Sequence, residues 1–248
     1  MASITGRKTL SALDLYTATT DVPSPYTIGE MRDGNNGKIF RYAKAGASAL
    51  VKGNLLQEAA NDTQFENMAV GVAGAVGDRF LQITNGTTTV TSEAFIGGSI
   101  NVYTAGTVAI ADEYTITSVG GVLTTGGALI VYLDRPLRYA FSTSAKVNMK
   151  RSPWSGVIQF PATTPTGMAV GVAIFEIPAN QYGWVQTHGT VSALSDGSTF
   201  AVGSEVGTVS GTAGAVTVAT VGTTKQRVGV TRQIAASAKG ITIFLQID

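Results

Sequence analysis

Apolar positions along this chain recur with a period of two over short stretches, and turn residues interrupt them about every 8–12 positions. Residues 38–42 set Ile39 and Arg41 against Phe40 and Tyr42, directly after Asp33-Gly34-Asn35-Asn36-Gly37, whose Asn and Gly tolerate the left-handed backbone of hairpin turns. Further on, residues 80–84, 87–91, 99–103, 114–119, 122–124 and 129–133 are β-branched or aromatic runs punctuated by Gly97-Gly98, Gly120-Gly121 and Gly126-Gly127. Beyond a linker at residues 161–165, strands are expected at 174–177, 182–187 and 191–194, in the Val/Thr/Gly tract 202–222, at 227–233 and at 241–247. The alternation Ile241, Ile243, Leu245, Ile247 is the cleanest of all. Nothing carries a helical stripe beyond two turns. The pattern predicts an all-β chain of about 12–17 strands in barrel- or sandwich-like modules. Phe40, Leu56, Phe80, Ile100, Leu133, Phe175, Ile243 and Leu245 are its expected core.

Residues 1–28 fit no sustained period and read as an N-terminal arm. Pro23 and Pro25 bias residues 21–26 toward an extended strap, with a frayed end as the alternative. The hexapeptide Met-Ala-Val-Gly-Val-Ala begins at Met68 and again at Met168. Read as two related strands, it suggests one β module in two parts, residues 29–77 and 151–248, or two small related modules, around an inserted sheet at 78–150; chance convergence in an Ala/Val/Gly-rich chain is a further reading.

Composition narrows the chemistry. The 248 residues are 44% hydrophobic and only 13% charged, with a net charge of +1, no cysteine and one histidine. Such a balance gives no field for nucleic acid, and without Cys there are no disulfides, thiolate metal sites or Cys nucleophile. No apolar run approaches the ~18 residues of a membrane helix. Arg7 and Lys8 imitate a signal peptide, but Asp14 interrupts the stretch behind them, so no secretion signal is expected and the sequons at Asn61 and Asn85 lose their usual meaning.

His188 is preceded by no Gly-x-Ser-x-Gly elbow; strand parity places it beside Trp184 and Gln186 as a half-buried histidine near an indole. Asp112, Glu113, Asp134 and Glu176 are the carboxylates that a hydrolase would use, since such groups need only converge in space. The loop at Asp33 resembles half a calcium site, but Lys44 stands where the closing Glu belongs. The one basic cluster, Arg135, Arg138, Lys146, Lys150 and Arg151 with Tyr139, Phe141 and Trp154, reads as a solvated edge or a contact for an acidic protein partner.

Several strings together resemble virion proteins of tailed bacteriophages, in particular the capsid decoration or cement class. These are Gly29-Glu30-Met31-Arg32-Asp33-Gly34, Lys38-Ile39-Phe40-Arg41-Tyr42, Ala49-Leu50-Val51-Lys52-Gly53-Asn54-Leu55, Trp154-Ser155-Gly156-Val157-Ile158 before Thr163-Thr164-Pro165-Thr166-Gly167, and Tyr182-Gly183-Trp184-Val185-Gln186-Thr187-His188-Gly189. The resemblance covers most of the chain. It implies a β protein, a homo-oligomer and most simply a trimer, on the outer face of an icosahedral head, where it ties neighbouring major capsid protein subunits together. It implies no catalytic residue, metal or cofactor. On this reading Pro23, Pro25, Tyr26, Arg135 and Arg138 are the candidate partner contacts, with neither nucleic acid nor membrane as a partner. Two other classes stay open: a carbohydrate- or receptor-binding fibre module stacking sugars on Trp154, Tyr182 and Trp184, and a hydrolase on a β scaffold.

Overall fold

The computed structural model describes residues 9–20, 26–91, 93–104, 112–121, 123–208, 211–219, 226–234 and 240–248. The chain is all-β in barrel-like sheets, with sixteen strands and one four-residue helix, α1 (Ala12–Leu15), among the described residues. It divides into two units, residues 1–60 with 153–248 and residues 61–152. Strands β1 (Met31–Asp33), β2 (Ile39–Ala45) and β3 (Leu55–Gln57) open the first unit. The second holds β4 (Met68–Ala69), β5 (Phe80–Thr84), β6 (Ser99–Thr104), β7 (Asp112–Gly121), β8 (Ala128–Leu133) and β9 (Ala145–Lys150). The first unit resumes with β10 (Ser155–Gln159), β11 (Ala169–Ala173), β12 (Tyr182–Leu194), β13 (Glu205–Thr208), β14 (Val216–Val218), β15 (Arg227–Thr231) and β16 (Gly240–Gln246).

In the first unit the strand order is β1-β2-β10-β3-β11-β12-β16-β15-β13-β14, and β12 pairs with β2 as well. That extra pairing closes β2, β10, β3, β11 and β12 into a ring whose interior is lined by small side chains such as Ala43, Ala45, Val170, Ala173 and Val185. β3 and β10, on either side of the inserted unit, are antiparallel neighbours with Ile158 opposite Gln57. A second ring runs β12, β16, β15, β13, β14 and returns through the Ser195↔Val216 bridge. Val191, Ala193, Val206, Ile243 and Leu245 belong to its core.

One strand therefore serves both rings. The first half of β12 pairs with β2, the second half with β16, and Thr187 is an extra residue against β2, where Gln186 faces Phe40 and His188 faces Ile39. Such a bulge reverses the alternation of side chains beyond it. The face carrying Trp184 and Gln186 outside the first ring thus continues as the face carrying Val191 and Ala193 inside the second. The fully buried Gln186 amide spans the bulge, donating from Nε2 to the carbonyls of His188 at 2.9 Å and Thr190 at 3.1 Å.

The second unit uses the same device. Its sheet runs β4-β9-β6-β7-β8-β5, and the Val70↔Ile83 bridge returns β5 to the chain beyond β4. The ten-residue β7 pairs with β6 through its first half and with β8 through its second, changing partner at an extra Thr117. Ile83, Ile100, Val102, Val131 and Val147 are wholly buried inside.

Several expectations need correction. The insertion spans 61–152 rather than 78–150, because Met68 and Ala69 pair with Val147 and Lys146 of β9 instead of joining the 29–77 stretch. The two hexapeptides consequently lie in different units: the first gives only a two-residue strand, the second the fully buried β11. Of the expected core, Phe80 is 45% exposed, since β5 turns Leu81 and Ile83 inward, and Phe175 is half-buried; the other six are buried. Residues 87–91 form a loop whose Thr87 and Thr88 amides donate to Gln64 Oε1 at 3.0 and 2.7 Å. Val122 lies outside the described residues, and 123–124 are not strand.

Gln186→Met keeps the side-chain length but strips the carbonyls of the half-buried His188 and Thr190 of their donor, which should cost about 1–3 kcal/mol. Leu245→Ala, which empties a fully buried site in the second ring, should cost about 2–5 kcal/mol. Urea unfolding of the two variants beside wild type checks both.

Candidate functional site

Each unit carries a few aromatic side chains on the outer side of its strands. Outside the first ring, Phe40 and Tyr42 of β2 and Tyr182 and Trp184 of β12 form one cluster, because alternation sends them outward while Ala43 and Val185 point in. Leu10, Leu15, Tyr26 and Ile28 cover this cluster. The Tyr26 ring meets Tyr42 edge-on at 5.2 Å and Trp184 at 5.1 Å, and the Arg32 guanidinium lies 5.3 Å from its centre. Backbone bonds fasten the segment at two points: Leu10 N–H to Asp33 O at 3.0 Å, and a reciprocal pair between Thr19 and Tyr182 at 3.0 and 2.9 Å. Burial, with the Asp14 carboxylate next in effect, raises the Tyr26 hydroxyl above its usual pKa.

The described part of the expected arm is thus folded onto its own unit, and Tyr26 is engaged inside the chain. Pro23 and Pro25 lie outside the described residues. What the segment presents outward is α1, capped by the Ser11 hydroxyl accepting from Asp14 N–H at 3.1 Å, with Leu13 80% and Tyr16 60% exposed. Leu13 falls between the covering positions Leu10 and Leu15 and takes no part in the cluster.

The sugar platform expected from sequence is not on the surface. Trp184 and Tyr182 are buried, and Trp154 is half-buried under the Arg41 guanidinium, 4.5 Å from its ring. Arg41 is in turn held by Asp248 at 2.9 Å. His188 is half-buried as expected but packs against Phe244, ring centres 5.2 Å apart, with Nδ1 3.0 Å from the Asp248 carbonyl. The Thr187 bulge explains the difference, since it puts His188 on the face opposite Trp184. A cavity of about 770 Å³ runs beside β12, lined by Lys52, Asn54, Gln159, Gln186 and Ser192 among others. No group of three His, Asp or Glu side chains able to hold a metal occurs among the described residues.

In the second unit Phe80 and Tyr132 are exposed directly opposite each other on β5 and β8, with ring centres 6.5 Å apart, and Tyr139 is exposed on the loop after β8. Ile130 faces Gly120 of β7 two pairs along, and the missing side chain there leaves the Tyr132 ring uncovered on that flank. Neither residue announces itself in sequence. Residues 80–83 and 129–133 carry apolar side chains at both parities, so inside and outside cannot be told apart without the register.

Arg135 and Arg138 sit on the loop after β8. Arg135 lies over the Tyr114 ring at 5.0 Å, 3.6 Å from Asp112, and donates to the Glu113 carbonyl. The Tyr114 hydroxyl donates to Asp112 at 2.5 Å and accepts from Arg138 N–H at 3.1 Å, while Asp134 accepts from Thr115 N–H at 2.9 Å. Asp112, Asp134 and Arg135 therefore pin the loop to β7. The Arg138 guanidinium is exposed, 5.9 Å from the Tyr139 ring. Lys146 is half-buried, and Lys150 and Arg151 are exposed at the end of β9.

Burial first, and the bond to Asp112 second, raise the Tyr114 hydroxyl above its usual value of 10. Between that value and the raised one the unfolded chain loses a proton that the folded chain keeps, so stability falls as pH rises through this window and is unaffected below it. Tyr114→Phe should flatten the fall, leaving the share due to Tyr26, at a cost of about 1–3 kcal/mol at neutral pH from the abandoned bonds. Urea titrations at neutral and alkaline pH measure both. Tyr26→Ala, which uncovers Tyr42 and Trp184, should cost roughly 1–3 kcal/mol by the same assay. Comparison of the chain with known protein families, curated proteins and solved structures returns no match.

Proposed function

We propose that this protein is a non-catalytic structural component of a phage virion, bound as a homo-oligomer, most simply a trimer, to the outside of the head, where it joins neighbouring major capsid protein subunits. The observation that carries the reading is that each unit offers its own exposed apolar patch: Leu13 of α1 and Tyr16 just after it in the first, Phe80 and Tyr132 on the β5–β8 face in the second. A bridge needs two adhesive surfaces on stiff supports, and weak contacts made by several copies multiply through effective concentration. The family resemblance of the sequence supplies the identity of the partner. Within the chain, Asp112, Asp134 and His188 are taken up in holding loops and the C-terminus, which favours a structural role.

Binding to purified heads lacking the protein tests this. Wild type should saturate a fixed number of sites, and Leu13→Ser/Tyr16→Ser and Phe80→Ser/Tyr132→Ser should each lower occupancy at least tenfold while retaining the wild-type circular dichroism spectrum. Undiminished occupancy in both double variants would sink the two-patch reading. A wild-type protein that ignores heads and binds surface glycans would move the assignment to receptor binding.

A further inference from the structure

At the end of β9, three side chains of the second unit meet in an arrangement that the adhesive role does not use. Lys150 Nζ hydrogen-bonds Asn61 Oδ1. Asn61 Nδ2 donates to Glu66 Oε1 at 2.8 Å, and the same oxygen lies 3.7 Å from Lys150 Nζ. An amine thus sits at the oxygen of a carboxamide whose nitrogen rests on a carboxylate, and that carboxylate also reaches the amine. We propose that Lys150 and Asn61 condense into an intramolecular amide bond, with Glu66 as the proton carrier.

The step balances without an added reagent. Glu66 takes a proton from the Lys150 ammonium. The freed lone pair attacks Asn61 Cγ, and the carbonyl electrons move onto Oδ1. As the tetrahedral species collapses, the Cγ–Nδ2 bond breaks and Glu66 returns its proton to the departing nitrogen. Ammonia leaves and takes the second amine proton as ammonium, so one ammonium is consumed, one is produced, and Glu66 is unchanged. A nitrogen in hydrogen-bond contact with a carbonyl oxygen is on the order of 3.5 Å from its carbon, which is the separation of a near-attack pair.

The backbone holds the three groups in place. Asp62 caps the 3-10 turn Thr63–Phe65 by accepting from Gln64 N–H at 3.1 Å, and Glu66 N–H closes the turn onto Thr63 O at 3.1 Å. Asn67 N–H then donates to Asn148 Oδ1 at 2.8 Å, and Met68 pairs with Val147. The strip bearing Asn61 and Glu66 is thereby clamped alongside the strand bearing Lys150. The side chains of Lys150 and Glu66 are 53% and 41% exposed, so water competes for the carboxylate and slows the exchange. A reaction that each molecule performs once needs little speed. The bond would join the first residue of the second unit to one near its last and so close the unit's chain covalently.

The test is mass spectrometry of the full-length protein, fresh and after prolonged storage. The expected mass is that of the sequence less one ammonia. Trypsin should release residues 53–79 joined to residues 147–151, because an acylated Lys150 is no longer cut. Asn61→Ala and Lys150→Arg should restore the full mass. Glu66→Gln, which still accepts from the Asn61 amide but carries no proton, should leave the peptides separate while the protein stays folded by circular dichroism. Stored wild type at full mass, with a free 147–150 peptide, overturns the proposal. So does an ammonia loss that leaves the two peptides unjoined, as a succinimide at Asn36-Gly37 or Asn85-Gly86 would. Joined peptides formed as fast in Glu66→Gln as in wild type would remove Glu66 from the assignment.

Discussion

The first unit depends on a single irregularity, the extra residue at Thr187 and the Gln186 amide that secures it. A regular thirteen-residue strand would keep one set of side chains on one face throughout. Here the residues that must point outward beside Tyr42 and those that must point inward beside Leu245 belong to the same strand, and the two requirements meet only if the alternation slips by one. A bulge normally leaves carbonyls without strand partners. Gln186 supplies the missing donors from within, which is why a polar side chain lies fully buried between two apolar cores.

β7 solves a similar problem with Thr117, and in both cases one long strand is shared by two sets of neighbours. Closing strands into rings removes most of the exposed backbone edge along which a protein could pair with a stranger. Association then falls to side chains on the outer faces. The N-terminal segment takes the most aromatic of those faces for itself, burying most of Tyr42, Tyr182 and Trp184 and leaving α1 as the new surface.

The class of fold was legible in sequence because turn chemistry and period-two alternation are local properties. Ile241, Ile243 and Leu245 point inward as their alternation predicts, because their strand is regular along its length. What failed was whatever depends on register. Counting in twos puts His188 beside the indole only by crossing a residue that breaks the count. Phe80 reads as an inward residue because its strand is apolar on both parities. The repeated Met-Ala-Val-Gly-Val-Ala shows the limit most directly, since six identical residues make a buried strand in one unit and little more than a bridge in the other. The exposed patches were hidden for a related reason: an apolar residue outside and one inside look alike until a partner strand is known.

The pairing of β3 with β10 means that the chain on either side of the insertion is hydrogen-bonded to itself as though a hairpin connected it. Topologically, the entire second unit is an overgrown turn. Its arrival or removal would require no rethreading of the first unit, only the exchange of one connection for another. A lineage built on this host could therefore vary by whole domains at this point, trading one set of outward side chains for a different one while the doubly ringed body persists.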